Sequence, residues 1–269
     1  MKLDVGCDFE YETAVPTPAI FLVRPLPSEP QQFVLEERWE TEPSAPFHDY
    51  IDGYGNVCRR LVIGPGRSRV RYDATVDVPA TVDAFAPDAH QAPVDALPDD
   101  VLVYLMPSRY CLSDLLSDRA WELFGATPPG WPRVQAICDF VHDHVVFGYG
   151  SSTSSTTAVE VFEARAGVCR DFAHLAIAFM RAMNIPARYV FGYMPDIDVP
   201  PVDLPMDFCA WLEAYLDGVW WTFDPRNNER RKGRVVIARG RDALDVAMVT
   251  TFGGATLHTM TVRADLSAA

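Results

Sequence analysis

The residue best suited to do chemistry is Cys169, which follows a glycine and begins an apolar segment. Cys169 lies two residues after Gly167, and apolar side chains recur at helical spacing from Leu175 to Met183. A thiol in the first turn of a helix lies near N–H groups without an intrahelical acceptor and near the positive end of the helix dipole, and both favour the thiolate. This position is typical of a nucleophilic cysteine. A free cysteine is also often a small buried apolar residue, and this segment alone leaves both interpretations open.

Asp224 is the second residue placed for catalysis. A thiol nucleophile needs a base within hydrogen-bond reach and a group that orients the base. Asp224 follows directly after an aromatic segment that ends at Phe223. The sequence therefore predicts a carboxylate at the end of a strand, where it could orient a catalytic base.

Composition limits the possible partners and compartments. The 269 residues carry 37 acidic and 23 basic side chains, for a net charge of −14. We therefore expect no nucleic acid and no membrane surface as a partner. The first residues lack the apolar core of a signal peptide, and no apolar run reaches the roughly 20 residues of a membrane span. The six scattered cysteines suit a reducing compartment, so we expect a soluble cytoplasmic protein.

The elements that position these residues differ between the two parts of the chain. Residues 1–105 contain short alternating or β-branched segments between Pro and Gly clusters, which predicts a β-rich domain, either a sandwich or a barrel. Within it, Arg69–Val78 alternates as a half-exposed strand does. Residues 84–100, with three prolines among acidic residues and alanines, are predicted to be a linker.

Residues 106–269 form the second predicted domain, with helices first and strands after them. Thr157 and Glu160 have the spacing of a helix capping box, and Asp217-Gly218 between two aromatic segments predicts a hairpin turn. The whole chain is therefore predicted to have an α+β fold. The predicted elements are helices at Ser113–Phe124, from Pro132, from Thr157 and from Cys169 to about Asn184, and strands at Arg188–Tyr193, Ala210–Leu216, Trp220–Phe223, 234–238 and about 256–263.

Four blocks of the second part resemble the bacterial transglutaminase-like superfamily. In chain order they are Gly167–Leu175, Ile185–Tyr193, Asp207–Glu213 and Phe223–Pro225. The β-rich first hundred residues resemble the N-terminal domain that is common in this bacterial group. The resemblance implies a papain-like domain with a nucleophile helix packed on an antiparallel sheet and a Cys–His–Asp triad. It also implies formation or cleavage of amide bonds through a thioester, with no cofactor.

Two catalytic positions of the family match this sequence and one does not. Cys169 matches the nucleophile and Asp224 matches the orienting acid, but Cys209 stands where the family has its histidine. An imidazole exchanges its proton near neutral pH, whereas a thiol has a pKa of about 8.5 and its thiolate would repel a second thiolate. The standard mechanism therefore cannot be carried over unchanged.

Four interpretations follow from this substitution. Cys169 could act as the nucleophile while Cys209, Asp171 or His174 takes part in proton transfer. A core or supporting role is more usual for a histidine placed like His174, five residues after Cys169 along the helix. The fold could serve as a binding module without catalysis. Cys169, Cys209 and Asp224 could bind zinc for metal-assisted hydrolysis. Cys169 and Cys209 could form a reversible disulfide. We favour the first, a hydrolase or acyltransferase with a Cys–Cys–Asp triad and a peptide or small amide substrate.

Three further side chains are expected near the site. Trp211 and Glu213 share a strand face with Cys209 by alternation. Trp211 could wall the cleft or pack the sheet, and Glu213 could support the site or lie in solvent. The backbone N–H of Cys169 is the expected oxyanion donor, and Tyr149 is a candidate for the second donor.

Overall fold

The first 77 residues form strands because their apolar side chains alternate. The structure, a computed structural model, describes residues 1–200 and 205–267. In the predicted half-exposed strand, Val70, Tyr72, Ala74 and Val76 point inward and are buried, while the residues between them are more exposed. The strands are β1 (Lys2–Thr13), β2 (Thr17–Phe21), β3 (Phe33–Glu42), β4 (Phe47–Ile51), β5 (Val57–Ile63) and β6 (Gly66–Asp77).

The middle of the chain is mainly helical. The first helix begins at Ser117 rather than at Ser113, because residues 113–116 form turns. The capping box is formed: the N–H of Glu160 donates to the Thr157 hydroxyl, and the Glu160 carboxylate accepts from the Thr157 N–H at 2.8 Å. The elements are α1 (Ser117–Phe124), α2 (Trp131–His144), β7 (Val146–Phe147), α3 (Ala158–Ala164), β8 (Ala166–Gly167) and α4 (Cys169–Ala182).

A four-stranded antiparallel sheet follows α4, and α4 packs against its two central strands. The strands are β9 (Ala187–Tyr193), β10 (Cys209–Leu216), β11 (Val219–Phe223) and β12 (Val235–Gly240), in the spatial order β11-β10-β9-β12. Asp217 and Gly218 have φ values of 49° and 78°, as the turn of a tight hairpin requires. The structure thus has the helix on an antiparallel sheet that the resemblance implies, and the fold class is α+β.

Two strands at the end of the chain, β13 (Val249–Thr251) and β14 (Ala255–Leu266), belong to the N-terminal sheets. The sheet orders are β14-β1-β6-β3 and β13-β2-β5-β4, and all neighbours are antiparallel. The two sheets pack face to face as a sandwich, with Phe9 of β1 against Phe21 of β2 at 5.9 Å between ring centroids. The predicted division at residue 105 placed residues 249–266 in the second domain, whereas their backbone pairing adds them to the sandwich.

The segment 84–100 is packed against the helices and sheet rather than hanging between two bodies. The Ala89 carbonyl accepts a hydrogen bond from the Trp131 N–H at 2.9 Å, and the His90 N–H donates to the Asp217 carboxylate at 2.9 Å. The sandwich also touches the second part directly, because the Tyr193 hydroxyl donates to the Val23 carbonyl at 2.8 Å. In the part of the chain that the structure describes, no helix is both long and apolar enough to cross a membrane.

Candidate active site

The start of α4 is held in place by Asp171. Strands β7 and β8 pair in parallel and bring Gly167 to the beginning of the helix. The buried Asp171 carboxylate accepts hydrogen bonds from the Val168 N–H at 2.8 Å and the Ser152 hydroxyl at 2.5 Å, and it pairs with Arg170 at 2.9 Å. A Cβ at residue 167 would lie 2.7 Å from the Asp171 Cβ, so the close approach requires glycine. Asp171 is therefore a positioning residue whose carboxylate is engaged within this turn.

The Cys169 thiol lies half-buried in the first turn of α4, in surroundings that favour its charged form. The Cys209 thiol, which donates a hydrogen bond to the Ala210 carbonyl at 3.8 Å, also interacts with the Cys169 sulfur and lowers the pKa of Cys169, while burial opposes this change. The backbone N–H of Ala210 and the positive charge of Arg226 lower the pKa further. The Cys169 sulfur is therefore stabilised as a thiolate by donors on β10 and by a cation that follows β11.

Cys209 is the first residue of β10 and is buried beside Cys169. Its pKa is raised well above the ordinary value, first by its interaction with the Cys169 thiol, then by burial and by the charges of Cys169 and Asp224. The two thiols are therefore unequal, with Cys169 favoured as the thiolate and Cys209 as the protonated donor. All six cysteines are free thiols in the structure, including this pair.

Asp224 lies just beyond β11, and its side chain is only 1% exposed. Its carboxylate accepts hydrogen bonds from the side chain of Asn227 at 2.8 Å, from the Asn227 N–H at 3.1 Å and from Arg234 at 3.0 Å. The sequence predicts an acid that orients a base; in the structure its partners are Asn227 and Arg234. Its influence on Cys209 is through charge, as a contribution to the raised pKa of that thiol.

Arg234 joins the Asp224 carboxylate to Asp83, a residue far away in the sequence. Its guanidinium donates to Asp83 at 2.9 Å and to Asp224 at 3.0 Å, and it lies 4.9 Å from the ring centroid of Trp211. Burial opposes the charge of Arg234, but the two carboxylates raise its pKa. Trp211 is fully buried under this cation and does not line the cleft. Of the two roles expected for Trp211, the structure shows packing within the sheet.

His174 and Glu213 are held by partners outside the cleft. The His174 ring stacks between Tyr110 and Tyr189, its Nε2 accepts from the Ala243 N–H at 3.1 Å, and burial lowers its pKa well below the ordinary value. Glu213 was expected to support the site or to lie in solvent. It is instead buried and paired with two arginines of the same sheet, Arg188 of β9 at 2.6 Å and Arg239 of β12 at 2.7 Å.

A cleft of about 360 Å³ opens over the two thiols, a size that suits a small ligand or a peptide side chain. Tyr149, which is 54% exposed, lines it together with Cys169 and Cys209. The cleft also includes residues that the sequence reasoning did not select: Phe147, Met194, Met206, Asp207, Phe208 and Arg226.

Two of these missed residues are charged and flank the predicted site residues in sequence. Asp207 lies two positions before Cys209, and burial raises the pKa of its carboxyl. Arg226 lies two positions after Asp224. Their closeness in sequence to Cys209 and Asp224 was the available signal, but their orientation into the cleft depends on the loops that carry them.

The proposed metal ligands do not form a coordination group. Within residues 1–200 and 205–267, no three His, Cys, Asp or Glu side chains are grouped so that they could hold a metal ion. Cys169, Cys209 and Asp224 therefore do not fit the zinc set, because the Asp224 oxygens are bonded to Asn227 and Arg234. The described residues thus do not support the interpretation as a zinc-dependent hydrolase.

Comparison with known proteins identifies similar chains of bacterial origin. A family model described as the transglutaminase-like superfamily matches residues 120–225. An uncharacterised protein of Mycobacterium tuberculosis is 32% identical over 217 residues, which covers 72% of this chain and 68% of that protein. An uncharacterised protein of Mycobacterium leprae is 25% identical over 228 residues, covering 82% of this chain and 81% of that protein.

The whole fold also matches a solved structure. A crystal structure from Cytophaga hutchinsonii, described as a candidate cysteine protease, has a TM-score of 0.90 and 36% sequence identity. The match covers 100% of this chain and 92% of the other, so it includes the sandwich as well as the helices and sheet around the cleft.

Proposed function

Because this chain belongs to the transglutaminase-like superfamily, we propose that it is a thiol-dependent hydrolase or acyltransferase with Cys169 as its nucleophile. The observation that carries this proposal is the Cys169 sulfur in the cleft, with the Cys209 thiol, the Ala210 N–H and Arg226 all favouring the thiolate. The thiolate is the form of cysteine that attacks an acyl carbon. A peptide or a small amide is the proposed substrate.

In the first step, the Cys169 thiolate attacks the carbonyl carbon. A carbon–sulfur bond forms, and the carbonyl π electrons move to the oxygen. The first-turn N–H of Cys169 has no intrahelical acceptor, so it is the proposed donor to this oxyanion. The oxyanion then collapses to a thioester, and the carbon–nitrogen bond breaks.

Cys209 is the proposed carrier of the proton. Its raised pKa keeps it protonated while Cys169 is ionised. It gives its proton to the departing nitrogen and then, as a thiolate, takes a proton from the attacking water or acceptor amine. The thioester bond breaks, Cys169 leaves as a thiolate, and the initial state is restored.

Asp224 has an electrostatic role in this scheme. Its charge contributes to the raised pKa of Cys209, and Arg234 and Asn227 hold its carboxylate in place. A thiol whose pKa is far above neutral transfers protons less efficiently than an imidazole. We therefore expect slower amide turnover than a Cys–His–Asp triad would give.

The proposed reaction uses only protein groups and calls for no cofactor. It needs Cys169 reduced, which is consistent with the proposed location in the cytoplasm. The acidic net charge argues against nucleic acid or an anionic membrane as a partner.

The test is acyl transfer from an activated ester. Wild-type protein is incubated with 4-nitrophenyl acetate, and intact-protein and peptide mass spectra are recorded after acid quenching. We expect one acetyl group on Cys169, and Cys169→Ala should lower the catalysed release of nitrophenol at least about 1000-fold. Cys138→Ala, which removes another buried thiol, is the control and should keep wild-type acylation. If Cys169 is not acetylated while both variants remain folded, the protein is instead a non-catalytic module.

A further inference from the structure

One charged side chain in the cleft, that of Arg226, has no counter-charge among residues 1–200 and 205–267. The guanidinium of Arg226 lies 4.1 Å from the ring centroid of Phe147, which also lines the cleft. Among the residues that the structure describes, no carboxylate pairs with Arg226, and its guanidinium donates no hydrogen bond to a protein acceptor. A half-buried arginine without a carboxylate partner is unusual in a chain with a net charge of −14.

The other charges of the cleft are already compensated or disfavoured. Arg231 pairs with Asp196 at 3.1 Å, so these two cleft residues balance each other. Burial raises the pKa of Asp207, which disfavours its negative charge. Arg226 is therefore the cation that can offer its charge to a ligand in the cleft.

The backbone and the aromatic ring hold Arg226 in position. The carbonyls of Pro225 and Arg226 contact the His142 Nδ1 at 3.3 and 3.0 Å. The Phe147 ring gives the guanidinium a face to stack on, which restrains it while its edge N–H groups remain available. The charge of Arg226 also reaches Cys169, Cys209 and Tyr149: it contributes to the lowered pKa of Cys169 and partly opposes the rise in the pKa of Cys209 and of Tyr149.

We propose that Arg226 is a specificity-determining residue that binds a carboxylate of the acyl substrate while Cys169 attacks the neighbouring carbonyl. This inference rests on the proposed function, because it concerns the same cleft. The planar guanidinium matches a carboxylate through two parallel N–H···O bonds, and the apolar rings around it strengthen the charge interaction. The substrate class is thus narrowed to acyl compounds with an anionic group close to the reacting carbonyl.

The test compares two alkylating agents that differ in charge. Iodoacetate and iodoacetamide both react with a thiolate by displacing iodide, and only iodoacetate carries a carboxylate. The rate ratio of the two reagents at Cys169 is measured by peptide mass spectrometry. It is compared with the ratio for free glutathione under the same conditions. Any change in the pKa of Cys169 alters both rates equally, so the ratio reports the recognition of the carboxylate.

We expect the iodoacetate preference of wild-type Cys169 to exceed that of glutathione, and Arg226→Gln to lower it about tenfold. Arg226→Lys should keep most of the preference because it keeps the positive charge. Arg230→Gln is the matched control, since Arg230 also lies over a phenylalanine, at 5.1 Å, but outside this cleft. This variant should retain the wild-type ratio.

The outcomes separate this inference from the proposed function. In one outcome Cys169 reacts rapidly with iodoacetamide while the ratio of the iodoacetate rate to the iodoacetamide rate equals that of glutathione, or is the same in wild type and Arg226→Gln. Either result overturns the anion site and leaves the nucleophile in place. Slow reaction with both reagents overturns the nucleophile itself. The wild-type comparison with glutathione decides the matter even if a variant fails to fold.

Discussion

Two cysteines on neighbouring helices have pKa values shifted in opposite directions, although burial acts in the same direction on both. Cys138 lies in the middle of α2, where burial and then the charges of Asp139 and Asp224 raise its pKa well above the ordinary value. Cys169 begins α4, which packs against α2, and its pKa is lowered. The difference lies in the hydrogen-bond donors and the cation around Cys169.

The comparison shows that burial alone does not determine the reactivity of a thiol. Desolvation penalises the thiolate at both positions, and a donor aimed at the sulfur can reverse the sign of the shift. Cys169 has this donor because β10 begins beside the first turn of α4 and presents Cys209 and Ala210 to it. In the middle of α2 the N–H groups are used within the helix, and no other described residue donates a hydrogen bond to the Cys138 sulfur.

Arg234 is the site of the largest expected effect, because it neutralises the Asp224 carboxylate whose charge acts on both Cys138 and Cys209. Arg234→Met leaves Asp83 and Asp224 without their cation, and breaking a buried ion pair from one side costs about 3–5 kcal/mol. Urea unfolding should show a free energy of unfolding lower by this amount. The exposed Arg230→Met variant should stay within about 0.5 kcal/mol of wild type. Equal stability of the two variants would contradict this role of Arg234.

The two thiols should differ strongly in reaction with iodoacetamide in the folded protein. At pH 7 we expect Cys169 to be alkylated at least about 100-fold faster than Cys138, because a larger fraction of Cys169 is ionised and the reagent can reach its sulfur through the cleft. Site-resolved mass spectrometry measures both rates in one sample. In concentrated urea the rates should converge, since the unfolded chain removes both environments. Similar alkylation rates of Cys169 and Cys138 in the folded protein would contradict the expected difference between the two thiols.

Cys209→Ala should reduce the difference in alkylation rate between Cys169 and Cys138, because it removes the largest single contribution to the lowered pKa of Cys169. We expect the pH midpoint of Cys169 alkylation to rise by about one unit, so that the rate falls about tenfold at any pH below the wild-type midpoint. Cys209→Ser keeps a hydroxyl donor and should retain most of the wild-type rate. An unshifted midpoint in Cys209→Ala would show that the Ala210 N–H and Arg226 suffice.

The two thiols should also contribute to stability with opposite pH dependence. The lowered pKa of Cys169 stabilises the folded state above the ordinary thiol pKa, and this contribution is lost as the pH falls through the lowered value. The raised pKa of Cys138 gives a contribution that is complete below the ordinary pKa and is lost as the pH rises.

Denaturant unfolding at pH 7, 8, 9 and 10 tests this smallest effect. The difference in the free energy of unfolding between wild type and Cys169→Ala should grow between pH 7 and 9. The corresponding difference for Cys138→Ala should shrink above pH 9. Parallel curves for the two variants would mean that the thiols do not ionise differently in the folded state.

Local sequence patterns predicted the helices and strands that position the site residues. The capping box at Thr157 and the hairpin at Asp217-Gly218 depend on a few adjacent backbone groups, so the sequence contains all the information they need. The helix that starts at Cys169 follows from Gly167 and from the apolar spacing behind it. The conformation of such elements is set by near neighbours in the chain.

Partners far apart in sequence were not predictable in this way. Arg234 pairs with Asp83, 151 positions away, and β14 pairs with β1 across almost the whole chain. The division at residue 105 missed this strand pairing because an alternating pattern predicts a strand but does not indicate which sheet the strand joins. Arg226 was missed because an arginine in a loop is usually solvated, and the contacts with Phe147 and His142 that hold it at the cleft come from distant parts of the sequence.

The sequence by itself determined which side chains could do chemistry and the local structure that carries Cys169, because residue type and periodicity act over a few positions. The tertiary structure alone decided their surroundings, which lower the pKa of Cys169, raise the pKa of Cys209 and pair Asp224 with Arg234. A pKa depends on burial and on groups within a few ångströms, and these groups come from strands and loops that only folding brings together.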